Sequence, residues 1–117
     1  MEKKVGLLYR GRRKFLKVKQ LSLFGRFAGL MFCRRRNSRA LLFNFKKPVK
    51  NAIHSLFVFF PFFAVWIDDK NKIIEISLVK PFSISVCPKN SFTKLIEIPV
   101  KEEYREILEF LVGNRKI

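Results

Sequence analysis

Four arginines in the first half of the chain, Arg34, Arg35, Arg36 and Arg39, have the type and spacing that point most directly to chemistry. A guanidinium fork matches the paired oxygens of phosphate or carboxylate, so this cluster is expected to bind an anion. Arg10, Arg12, Arg13 and Lys14 extend the cationic tract. Phe15, Phe24, Phe27 and Phe32 fall between the two groups. They would offer stacking surfaces to a nucleic acid, but their pattern is that of buried positions and assigns them to the core. Cys33 precedes Arg34, and neighbouring cations lower the pKa of an exposed thiol. No base accompanies it in sequence, so it reads as an incidental thiol. His54 is the single histidine and sits in an apolar run, where a hydrogen-bonded core role is the simplest assignment. Adjacent strand-end acids such as Asp68 and Asp69 point to opposite faces, which makes them turn residues rather than a metal pair. Metal-ligand spacing, a phosphate loop and a nucleophile elbow are all missing. The sequence therefore points away from an enzyme, and no catalytic residue, metal or cofactor is assigned.

The charge is unevenly placed. Lys and Arg number 25 against 9 Asp and Glu over 117 residues. Residues 1–50 hold sixteen of the cations and one acid, Glu2, while residues 51–117 hold nine cations and eight acids. A field of this kind attracts nucleic acid, anionic headgroups or small phosphorylated and carboxylated molecules. A generally basic composition that serves solubility gives the same balance. Cys33 and Cys87 form no Cys-x-x-Cys pair. Two ordinary thiols in a reducing cytoplasm are expected, and the N-terminal stretch has too short an apolar run for a signal peptide.

Hydrophobic residues make up 49% of the chain and Phe occurs 14 times, enough to build one core without disulfides or metal. The expected organisation is a basic arm over 1–12 and a single domain over 13–117. The segment 52–67, AIHSLFVFFPFFAVWI, is too short for a spanning helix and carries Pro61 near its middle. Its Phe, Val and Ile content predicts buried strands on either side of that proline, over 53–60 and 62–68. Further strands are expected over 13–19, 40–45, 72–77, 83–86 and 93–100, the last with Glu97 pointing outward. Asp68 to Asn71 is the turn of the clearest hairpin. A short helix is expected near 22–32. Tyr104, Ile107, Leu108 and Leu111 fall on one helical face, so an amphipathic helix is expected over 101–112 with Gly113 as its stop.

Several segments, in order, resemble domain-of-unknown-function family 192, also called uncharacterised protein family 0127. They are Gly29-Leu30-Met31-Phe32, Ala40-Leu41-Leu42-Phe43-Asn44-Phe45 and Ile53-His54-Ser55-Leu56-Phe57-Val58-Phe59-Phe60-Pro61, the last similar to an archaeal-type segment. Trp66-Ile67-Asp68 with Ile73-Ile74-Glu75-Ile76, Lys80-Pro81-Phe82 and Leu95-Ile96-Glu97-Ile98-Pro99 complete the match, over roughly residues 13–100. The resemblance implies a compact, mostly β fold with a short helix near Gly29, and it supplies no reaction. The chain departs from the family at Ser55, where Met is usual, and at Phe63, where an Asp is usual. A family site built on that Asp would lack the carboxylate here.

The expected fold is thus mostly β, sandwich- or barrel-like and mainly antiparallel, with the short helix near 22–32 and the C-terminal helix bringing it to the margin of α+β. The expected function is a non-catalytic binding or accessory protein for an anionic ligand or nucleic acid, held by Arg34, Arg35, Arg36 and Arg39. A pocket in the β fold would instead favour an enzyme or small-molecule site. An exposed apolar patch at Phe57–Phe63 would favour membrane association.

Overall fold

The computed structural model describes residues 2–20, 38–50, 58–83 and 86–113. Six strands form one sheet in the order β1-β2-β3-β6-β4-β5. They are β1 (Glu2–Tyr9), β2 (Arg12–Gln20), β3 (Leu41–Val49), β4 (Phe62–Ile67), β5 (Ile73–Val79) and β6 (Phe92–Pro99), followed by a 3₁₀ turn (Glu102–Tyr104) and α1 (Arg105–Val112). All neighbours are antiparallel except β2 and β3, which pair in parallel over Lys19 and Gln20. The sheet curls until its edges meet at one point. The Leu8 amide donates to the Asn71 carbonyl at 2.9 Å, and Leu8 bridges Lys72. Strand twist of one hand drives this curl.

Two apolar clusters lie on the two faces of the sheet. The inner cluster joins Val5, Leu7, Leu16 and Val18 to Phe63, Val65 and Ile67, and α1 closes it with Ile107, Leu108 and Leu111. The outer cluster gathers Leu41, Phe43, Phe62, Ala64, Trp66, Phe92 and Leu95. With both faces covered, β4 is buried at every residue, which is why FFAVWI is continuously apolar instead of alternating. No helix among the described residues is long and apolar enough to cross a membrane.

The local signals act as their chemistry dictates. Asp68 Oδ1 accepts the Lys70 and Lys72 amides, each at 2.9 Å, and Asn71 takes the left-handed conformation at φ 64°. That builds the expected β4–β5 hairpin turn. α1 ends at Gly113, φ 71°, whose amide donates to the Glu109 carbonyl at 2.8 Å. Glycine meets no steric penalty there. β3 runs on to Val49 through Pro48, past the expected end at Phe45. Its register against β6 shifts between Asn44 and Val49, an irregularity that accommodates a residue with no amide proton.

Four expectations change. Glu2–Tyr9, within the segment expected as a basic arm, is the edge strand β1. Val58 to Phe60 are not in a strand, and the remainder of the expected 53–60 strand, residues 53–57, lies outside the described residues, as does the helix expected near 22–32. Phe15 is on the outer surface, 58% exposed. Glu97 points into the outer cluster instead of into water, with only 7% of its surface exposed.

Tyr104 ties the helix to the sheet. Its hydroxyl accepts the Ala40 amide at 2.8 Å, and burial raises the phenol above its usual pKa range. Tyr104→Phe leaves that buried amide without an acceptor. The variant should lose about 1–3 kcal/mol of stability, read as a lower urea midpoint at unchanged m-value.

Candidate anion-binding surface

The β1–β2 hairpin carries eight Lys and Arg (Lys3, Lys4, Arg10, Arg12, Arg13, Lys14, Lys17, Lys19) and one acid, Glu2. Its register sorts them. Val5 opposite Leu16 faces the inner core, as do Leu7 and Val18. Alternation then sends the pairs Lys4–Lys17, Gly6–Phe15, Leu8–Arg13 and Glu2–Lys19 to the outer face. The connection is the two-residue turn Arg10-Gly11, with φ of 52° and 76°. Positive φ at both positions matches the right-handed twist of the flanking strands. At the tip, the Arg10 guanidinium sits 5.0 Å from the centre of the Tyr9 ring.

Phe15 is the organising group of the outer face. Its ring leans on Gly6, where a Cβ would meet Phe15 Cε1 at 2.9 Å. A side chain at this position would push the ring outward, so glycine lets the ring lie close against β1. The Lys4 ammonium lies 5.3 Å from the ring centre. Beside this face, β2 runs free of β3 before Lys19, and an open groove of about 260 Å3 separates it from the helix. Lys14, Phe15, Lys17, Lys19, Arg39 and Tyr104 line it, together with Glu2, Glu103 and Glu106.

The acids offset this charge only weakly. Arg39 reaches Glu2 at 3.4 Å, and Lys14 reaches Glu106 at 3.6 Å. These pairs are solvated, and such pairs contribute about 0–1 kcal/mol. An arriving phosphate can compete for Arg39 and Lys14.

Of the four arginines singled out in sequence, Arg39 is placed, exposed, at the edge of the groove. Arg34, Arg35 and Arg36 lie outside the described residues, as do Cys33 and His54. Cys87 is a free, exposed thiol. Val58, Phe60 and Phe62 are buried in the outer cluster and Phe63 in the inner one, while Phe59 is 59% exposed and meets Phe82 edge-on at 5.7 Å. Sequence reasoning singled out Arg10, Arg12, Arg13 and Lys14 but passed over Lys4, Lys17 and Lys19. The signal was present in the in-phase apolar positions Val5, Leu7, Leu16 and Val18, which put those lysines and Phe15 together on the opposite face.

Glu97 is a second unusual group. Its cross-strand neighbours are Leu41 and Ala64, and Leu95 and Pro99 flank it on the same face of β6. With no charge partner among the described residues in that apolar setting, burial raises its carboxyl from the ordinary 4.5 to about 8. It is therefore mostly neutral at pH 7.

Fold and surface together define a small, basic, mostly β domain with a helix-closed core and a cationic hairpin on its outside. The chain belongs to the DUF192 family, described as Uncharacterized ACR, COG1430, which matches residues 21–113 and so begins directly after β2. Among solved structures, the chain is similar to a Sinorhizobium meliloti 1021 protein provisionally described as a transcription regulator. The TM-score is 0.75 at 19% identity, covering 92% of this chain and 86% of that one. It is also similar to a protein of unknown function from Novosphingobium aromaticivorans DSM 12444. There the TM-score is 0.73 at 12% identity, covering 97% of this chain and 80% of that one. At these identities the likeness is one of fold. No curated protein matches the chain at a significant level.

Proposed function

We propose that the protein is a non-catalytic binding or accessory domain that holds a polyanion, nucleic acid being the leading class, against the outer face of the β1–β2 hairpin. The observation that carries this reading is the set of eight hairpin cations against one acid, with Lys4, Arg13, Lys17 and Lys19 all exposed on one side. Arg39 adds a contact at the groove, and Arg34, Arg35 and Arg36 add three further cations to the same half of the chain in sequence. The site of action is the cytoplasm, where an exposed thiol such as Cys87 stays reduced.

Heparin affinity tests the placement of the surface. Neutralising Lys4 and Lys17 to Ser should lower the salt concentration needed for elution far more than neutralising Lys47 and Lys89. That control pair is exposed at the end of β3 and in the loop before β6, away from the hairpin. Polyanion binding releases counterions, so retention must also fall steeply with ionic strength. Equal shifts for the two pairs, or retention that ignores salt, would remove the proposal.

A further inference from the structure

We infer that Phe15 is a base-stacking platform and that the hairpin takes a single-stranded nucleic acid, an inference that rests on the cationic surface proposed above. A large aromatic left 58% exposed in the middle of a strand is not contributing to the core. Gly6 opposite it removes the side chain that would collide with the ring, and the ring is held against the backbone of β1. The platform is therefore pre-positioned, and little ordering is lost when a base lands on it. Lys4 and Lys17 face each other across the ladder beside it, with Lys19 and Arg13 further along on the same side. That arrangement puts cations where the phosphates flanking a stacked base would run.

Lys4 now sits over the ring. An exposed cation–π contact of a hydrated ammonium is weaker than a stacked base, and the lysine stem is flexible. A base displaces Lys4, which then turns to the phosphate. Duplex DNA keeps its base faces inside the stack and offers the hairpin phosphates alone. Polyphosphate offers no aromatic face at all. Phe15 distinguishes the three ligands.

The experiment measures equilibrium binding, at one low salt concentration, of a 12-nucleotide single-stranded DNA, its duplex and polyphosphate. Phe15→Ala should weaken single-strand binding roughly 5- to 150-fold, equivalent to about 1–3 kcal/mol, and leave polyphosphate binding within about twofold. Phe15→Trp should keep single-strand affinity, and its indole fluorescence should be quenched by the single strand and not by polyphosphate. Unchanged circular dichroism confirms that both variants fold. If single strand and polyphosphate both bind and Phe15→Ala weakens neither selectively, the stacking inference falls while the cationic surface stands. Duplex binding as tight as single-strand binding overturns it too. If none of the three polyanions binds, the surface itself is refuted.

Discussion

Unfolding measured across pH should show this protein losing stability between about pH 5 and pH 8, and Glu97→Gln should abolish most of that loss. Glu97 has its carboxyl raised to about 8 by burial among Leu41, Ala64, Leu95 and Pro99. In the unfolded chain it returns to an ordinary carboxylate value near 4.5. Between those values the folded state binds the proton and the unfolded state does not, so stability falls as pH rises. Below about pH 4.5 both states are protonated and the group contributes nothing to the slope. The full shift corresponds to roughly 3–5 kcal/mol, a large part of a small domain's total stability. The amide of Gln cannot ionise, so the variant should match the wild type within about 1–2 kcal/mol at pH 5 and exceed it at pH 8. Histidine side chains ordinarily ionise in this pH range, so the comparison is made in a background where the single histidine of the sequence, His54, is replaced by Gln. A flat wild-type profile from pH 5 to 8, or a Gln variant less stable at every pH, would show that the carboxylate is ionised and paired.

Glu97 also shows where sequence reasoning stops. Its place between Ile96 and Ile98 predicts the wet face of a half-buried strand, and the alternation itself is correct. Ile96 and Ile98 do enter the inner core. The error lies in what covers the other face, since β6 sits between β3 and β4 and the outer cluster closes over it. Period-2 patterning identifies faces but cannot say whether the second one is solvated. Phe15 fails in the opposite direction. Residue type assigns it to the core, while the register of Leu16 and Val18 sends it outward. Elements set by contiguous residues were legible. The Asp68–Asn71 turn carries its own side-chain acceptor for backbone amides, and the Tyr104, Ile107, Leu108 and Leu111 face is written at helical spacing. The parallel β2–β3 contact and the curl that brings Leu8 to Asn71 depend on residues far apart in the chain. No local pattern encodes them. For the candidate surface, the chemistry was legible as a cation excess in the first half. Its concentration on a hairpin face with Lys4, Lys17 and Phe15 required the β1–β2 register.

Trp66→Ala should cost about 3–5 kcal/mol, enough to leave the fold marginal or lost. Trp66 is fully buried in β4, which pairs on both sides, opposite Leu95 on β6 and Glu75 on β5, with its ring 6.3 Å from that of Phe92. Deleting the indole empties the middle of the outer cluster, and ladders on both sides of β4 hold the backbone where it is, so the cavity cannot collapse. Trp66→Phe separates two contributions. The indole Nε1 is buried and has no hydrogen-bond partner among the described residues. An unsatisfied buried donor of this kind costs about 1–3 kcal/mol. Phenylalanine removes that cost while giving up part of the ring's apolar area, and the two changes oppose one another. Urea unfolding should therefore find Trp66→Phe within about 2 kcal/mol of wild type, well short of the alanine loss. Equal losses for Phe and Ala would mean that the indole proton makes a bond the fold depends on.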